Sequence, residues 1–157
     1  MAKGTPATLA LERAGVAFTL HEYAYDPSAD RVGLQAAEAL GVDPGEVWKT
    51  LMVLGDGKPA CAIVASDRQV AMKQLAAVLG VKSAAMMPPE QAERLTGYKV
   101  GGISPFGQRR QVPTVLDEAA LGHAAIYLNG GRRGLQVHMA PGDVVKVTGA
   151  GVAAIAT

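Results

Sequence analysis

The stretch VWKTLMVLGDGKPACAIVA, residues 47–65, decides how the rest of the chain must be arranged. Residues 47–54 are apolar or β-branched with one interruption and read as a strand. Residues 55–57, GDG, supply a tight turn, and residues 59–65 are apolar again, so the segment predicts a β-hairpin. The interruption is Lys49, which shares a strand face with Val47 and Leu51. A lysine there either carries its ammonium outward along its methylene stem or points into a polar cavity. The hairpin itself leaves both open.

On the N-terminal side, Thr5 is a good N-cap, Pro6 suits a first helical position and Gly15 a helix end, with Ala7, Ala10, Leu11 and Ala14 inward. Residues 18–23 alternate as a strand that puts His21 and Tyr23 on one face. The polar DPSAD reads as a loop, and residues 34–40 as a helix closed by Gly41.

On the C-terminal side, residues 71–79 predict a helix ended by Gly80, residues 81–85 a strand, and Pro88 and Pro89 open a helix closed by Gly97. Residues 112–116 predict a strand, Asp117 caps a helical turn, and residues 124–128 and 135–139 form a second hairpin. Pro141 starts a last helix before a closing strand at 152–156. About seven strands and five helices in one α/β domain, residues 1–157, imply a mixed, strongly curved sheet with helices outside.

Composition narrows the function. With 49% hydrophobic but only 4% aromatic residues, the core must be built from Ala, Val, Leu and Ile. Cys61 is the one cysteine, which excludes an internal disulfide and a cysteine-rich zinc site; within PACAIVAS it reads as a buried thiol. His21, His123 and His138 lack zinc-ligand spacing, so no metal is expected. No run approaches the ~20 apolar residues of a membrane span, and the first residues lack the apolar region of a signal peptide. A cytoplasmic protein with no membrane or DNA partner is the expectation. The net charge of +1 hides an asymmetry: −3 over residues 1–50, +1 over 51–98 and +3 over 99–157. Arg109, Arg110, Arg132 and Arg133 flank two glycine-rich segments, and arginines beside exposed amides suit RNA. No long basic run exists, so solvated surface is the plainer reading.

Those segments are TGYKVGGISPFG, residues 96–107, and NGGRRG, residues 129–134. Gly101 and Gly102 permit positive φ and close approach to main-chain N–H groups, while Pro105 stiffens the loop exit. Lys49 and the two loops are expected to form one site. No P-loop or GxGxxG is present, and Ser66 and Ser104 lack a nucleophile-elbow context. Backbone amides with one lysine suit electrostatic positioning of a substrate better than covalent catalysis, and no cofactor is expected.

Together, HEY at 21–23, GLQAAEALG, VWKTL, TGYKVGGISPFG and IYLNGGRRGLQV resemble, in this order, the YbaK/EbsC family of aminoacyl-tRNA deacylases. The resemblance spans nearly the whole chain. It is nearest in type to the Cys-tRNA(Pro)/Cys-tRNA(Cys) deacylases, relatives of the editing domain of bacterial prolyl-tRNA synthetases. It implies a mixed, barrel-like sheet with surrounding helices. It also implies that the cysteinyl thiol of the substrate attacks its own ester carbonyl, so no protein nucleophile is needed. Residue by residue, it places the essential lysine at Lys49, a pocket tyrosine at Tyr23 and the first loop glycine at Gly101. With Gly102, Asn129 and Gly130 from the two glycine-rich segments, these form the expected site.

Three positions depart from the family pattern: Asn129 where serine is usual, Trp48 where Phe or Tyr is common, and Gln35 where an acid is frequent. Asparagine is readily accepted in a turn if the backbone at 129 is what the family uses; if it uses the hydroxyl, rate or specificity changes. The implied partners are the acceptor end of aminoacyl-tRNA and prolyl-tRNA synthetase. The near-neutral charge favours that second partner, since few phosphate contacts bind RNA weakly. Two other functions fit the residues: water-dependent hydrolysis of Ala-tRNA(Pro) or a serine ester, and a non-catalytic module that binds the acceptor end or the synthetase.

Overall fold

The computed structural model describes residues 4–28 and 32–157. Its central hairpin consists of β2 (Trp48–Gly55) and β3 (Lys58–Ala65), antiparallel and paired from Trp48 with Ala65 to Gly55 with Lys58. Asp56 and Gly57 close it at φ of 48° and 79°, the left-handed two-residue turn whose twist matches the flanking strands. The Asp56 carboxylate accepts from the Lys82 and Ser83 N–H groups at 3.0 and 3.1 Å, which anchors the turn.

Around the hairpin lies a five-stranded sheet. β3 pairs in parallel with β5 (Thr114–Asp117), and β5 with β8 (Gly151–Ala153). On the other side β4 (Ala84–Met86) covers only Val53 to Gly55 of β2. A separate antiparallel sheet is built from β1 (Thr19–Glu22), β7 (Leu135–Met139) and β6 (Ile126–Asn129) in that order.

The expectation of one barrel-like sheet of about seven strands is therefore corrected. Among the described residues there are eight strands in two sheets, and no barrel closes. The sheets meet at one parallel bridge, Val47 to Tyr127. The circuit stays open because β4 is only three residues long and leaves the first half of β2 without a strand neighbour on its outer edge.

Helices α1 (Pro6–Ala14), α3 (Met72–Leu79) and α4 (Pro89–Thr96) end at Gly15, Gly80 and Gly97 as expected. Helix α2 (Val32–Leu40) follows a loop in which 29–31, part of DPSAD, lie outside the described residues. Helix α5 (Pro141–Thr148) precedes β8, which is shorter than expected; Ala156 instead bridges to Val70.

The two faces of the hairpin bury different cores. Trp48, Met52, Cys61 and Ile63 pack with Leu11, Phe106, Leu128 and Val137. Val53, Ala62 and Val64 pack on the opposite side with Leu75, Val115 and Ile155. Since side chains alternate along a strand, Lys49 lies on the second face with Leu51.

Candidate active site

The open edge of β2 is where the sequence-predicted pieces converge. The Ser66 N–H donates to the Val47 carbonyl at 2.8 Å, which sets the hydrogen-bonding alternation of the hairpin. Val47, Lys49 and Leu51 thus turn their main-chain groups to β3, and Trp48, Thr50 and Met52 turn theirs to the other edge. There the Met52 carbonyl accepts from the Met87 N–H at 3.1 Å. Between that bond and the Val47–Tyr127 bridge, no described strand pairs with β2.

A cavity of about 430 Å³ lies along this edge. Its walls come from Trp48 to Met52, from Met86 and Met87, from Val100, Gly101 and Ile103 in the first glycine loop, from Asn129 and Gln136 in the second sheet, and from Ser66 to Gln69 after β3. Its size is that of a small-ligand site. Lys49, Gly101 and Asn129 all line it. Tyr23, Gly102 and Gly130 do not.

Asn129 ties the two glycine loops together through its side chain. Its Nδ2 donates to the Gly101 carbonyl at 3.1 Å, and its Oδ1 accepts from the Gly131 N–H at 2.7 Å. Arg133 adds a second tie, donating from Nε to the Val100 carbonyl at 2.9 Å with its guanidinium 5.4 Å above the Tyr25 ring. Arg132 pairs with Glu22 at 3.1 Å on the surface. Two of the four arginines that the sequence offers to RNA, Arg132 and Arg133, are thus engaged within the protein.

The glycines divide in the same way. Gly102 donates its N–H to the Lys99 carbonyl at 2.7 Å and packs against the Arg132 and Arg133 backbone. Gly130 donates to the Leu135 carbonyl at 2.8 Å, and its own carbonyl accepts from the Thr5 hydroxyl. Gly101, at φ 91°, has an N–H without a partner among the described residues. Of the three, only this amide lacks a partner among the described residues, and only Gly101 lines the cavity.

Asn129→Ala removes both side-chain bonds, the one that joins the loops and the one that holds the amide within its own loop. The expected result is a loss of about 1–2 kcal/mol of stability and a fall in turnover of about tenfold or more, with Asn129→Ser intermediate because its shorter side chain keeps one bond. Thermal unfolding and single-turnover rates measured on the same samples check this.

Three polar residues at the cavity are not among the expected binding set, and the sequence marks only Ser66 of them, as a residue without a nucleophile-elbow context. The Thr50 and Ser66 hydroxyls and the Gln136 amide oxygen are buried and have no hydrogen-bond partner among the described residues. Such groups cost about 1–3 kcal/mol each unless a ligand or water satisfies them, so their gathering around one cavity marks a binding site. Gln136 was detectable as a polar residue in the apolar strand LQVHM. The Tyr23 hydroxyl is likewise buried without a well-formed bond. Burial raises its pKa, and the nearby Gln136 side chain and Gly134 backbone temper the rise, so it stays a protonated donor at neutral pH.

No histidine lines the cavity among the described residues. His21 and His138 pack with Tyr127 on the three-stranded sheet, with His138 stacked on the Tyr127 ring at 4.0 Å, and His123 meets Trp48 edge-on. Cys61 is buried, and burial pushes its thiol up to about 12, which makes it inert as a nucleophile. No cluster of three metal-ligating side chains occurs among the described residues, and no described helix is long and apolar enough to cross a membrane.

Residues 26–147 match the aminoacyl-tRNA editing domain family. The chain belongs to that family, as a YbaK/EbsC-type member. The editing domain is 35% identical over 138 residues, 87% of this chain and 84% of the relative, to an Enterococcus faecalis protein provisionally named Cys-tRNA(Pro)/Cys-tRNA(Cys) deacylase EbsC. It is 40% identical over 68 residues to a proline–tRNA ligase of Nitratidesulfovibrio vulgaris, covering 43% of this chain and 12% of the ligase. A solved structure provisionally described as a trans-editing enzyme for prolyl-tRNA synthetase superposes with a TM-score of 0.84 at 26% identity, covering 97% of this chain and 95% of the other.

Proposed function

We propose that this editing domain removes cysteine from mischarged Cys-tRNA(Pro), and from Cys-tRNA(Cys), by letting the cysteinyl thiol attack its own ester carbonyl. The activity class, aminoacyl-tRNA deacylase, follows from the family. In the proposed step the substrate sulfur forms a bond to the carbonyl carbon and the ester C–O bond breaks. The thiol proton is lost, the terminal ribose recovers its hydroxyl, and the amino acid departs as a cyclic thiolactone.

The observation that carries this reading is the cavity on the open β2 edge, where Lys49, the Gly101 amide and Asn129 converge between methionine-rich walls. The Gly101 N–H is the donor for the developing oxyanion, one such donor being worth about 3–4 kcal/mol. Lys49, as an ammonium, binds the aminoacyl-adenosine end and its charge. Holding the thiol in attack geometry supplies more of the rate than any side-chain chemistry does. Tyr23, through Gln136, shapes the pocket floor rather than moving a proton. A second sieve of this kind is useful because a synthetase pocket separates similar small side chains by only ~1–3 kcal/mol.

Prolyl-tRNA synthetase is the proposed partner, since the near-neutral chain offers few phosphate contacts of its own. The test is hydrolysis of Cys-tRNA(Pro) beside Ala-tRNA(Pro), with and without the synthetase. Selective loss of the cysteinyl ester, faster with the synthetase at low substrate, supports both parts. Preferential loss of the alanyl ester would move the assignment to water-dependent hydrolysis, and loss of neither to a binding module.

A further inference from the structure

The cavity has two chemically different sides, because it wraps an open strand edge. On one side are Gly101, Ile103 and Met87, and the last two pack with the first core. On the other is Lys49, on the face that carries Leu51 and Val53 into the second core. The loop after β3 belongs to this second side, because it runs from Ser66 to Val70, which packs in the same core. It places Arg68 on the cavity wall.

The main chain of this loop is fixed. Arg68 N–H donates to the Ala65 carbonyl at 3.0 Å, and Gln69 and Thr157 exchange two bonds at 2.8 and 3.3 Å. The Arg68 side chain is exposed and forms no ion pair among the described residues. Its neighbour Asp67 also lines the cavity, with its carboxylate near Gly45, where an added Cβ would lie 3.7 Å from Oδ2. A guanidinium on a rigid loop at the rim of a ligand cavity is suited to a phosphate, which it binds through two parallel N–H bonds.

We propose that Arg68 binds the phosphodiester preceding the terminal adenosine of aminoacyl-tRNA, with the substrate straddling the β2 edge. The acyl group lies on the Gly101 side and the terminal nucleotide on the Lys49 and Arg68 side. The proposal rests on the aminoacyl-tRNA reading of the cavity. It adds a residue that determines how the tRNA end is held, and it assigns the cationic wall to nucleotide rather than amino acid.

The test compares wild type, Arg68→Gln and Arg68→Lys on Cys-tRNA(Pro) and on 3′-O-cysteinyl-adenosine, which lacks the phosphodiester. In Arg68→Gln, KM for the tRNA ester rises about tenfold at low salt, with a much smaller rise for the adenosine ester, and Arg68→Lys recovers part of the loss. The slope of log binding against log salt, read with an uncharged acceptor-stem microhelix, falls in magnitude by about one. An equal change in KM for both esters, or no change for either, would overturn the assignment. If wild type spares both esters, the deacylase reading fails by itself and the microhelix decides: weaker binding with the lowered salt slope upholds Arg68 as a phosphate ligand, and unchanged binding rejects it.

Discussion

Lys49→Ala is expected to reduce deacylation of Cys-tRNA(Pro) by at least about a hundredfold while changing stability by no more than about 1 kcal/mol. The lysine sits on an otherwise apolar strand face and lines the cavity, half-buried beside Val47 and Leu51. Its stem covers apolar surface, so truncation to alanine costs some packing, and Lys49→Met serves as the control that keeps the stem and removes the charge. Both variants should lose turnover alike if charge is what matters. Lys49→Arg should recover little, since a planar guanidinium presents its charge differently from a compact ammonium. Single-turnover kinetics together with thermal melts decide it: near-normal turnover in Lys49→Ala or Lys49→Met would remove the lysine from the mechanism.

Gly102→Ala is expected to act through structure. A Cβ at this position would lie 2.9 Å from the Arg133 nitrogen and 3.0 Å from the Arg132 Cα and carbonyl carbon. These are main-chain atoms, which do not step aside as the end of a flexible side chain does. The two glycine loops must therefore separate, and the separation strains the Asn129 bond to Gly101 and the Arg133 bond to Val100. The expected cost is about 2–3 kcal/mol, or roughly 5–10 °C in Tm, with a large loss of turnover because the Gly101 amide moves away from Lys49. A variant with the melting temperature and turnover of the wild type would show that the loops are not packed this closely.

Much of this architecture is legible in the sequence because local signals agree with the fold. Thr5 and Pro6 start a helix, Gly15 ends it, and GDG between two apolar runs makes a hairpin, whatever the rest of the chain does. The open edge of β2 is not legible in this way. It depends on how far β4 extends along its neighbour, which is a long-range pairing that no local pattern encodes. For the same reason the sequence suggests a single curved sheet where two are found.

The candidate site divides along a similar line. Lys49 stands out as a charge on an apolar strand, and Gly101 as a residue with access to positive φ. Gly102 and Gly130 carry the same sequence signal, but their amides are consumed, by Lys99 within the same loop and by Leu135 at the start of β7. A glycine's tolerance of close approach does not say whether a ligand or another backbone does the approaching. At Asn129, where the resemblance implies serine, one end of the amide bonds the other loop at Gly101 and the other end bonds Gly131 in its own loop. Thr50, and Ser66 as a binding residue, are not legible because a hydroxyl on or beside a strand is ordinary until its burial and lack of partner are seen.

The most direct test of the central claim replaces only the reacting atom. Turnover of 2-aminobutyryl-tRNA(Pro), in which a methyl group stands where cysteine has its thiol, is measured beside Cys-tRNA(Pro) at equal concentration. Rapid loss of the cysteinyl ester and no catalysed loss of its near-isosteric analogue are expected. Comparable hydrolysis of both would mean that water, rather than the substrate's own sulfur, is the nucleophile in this cavity.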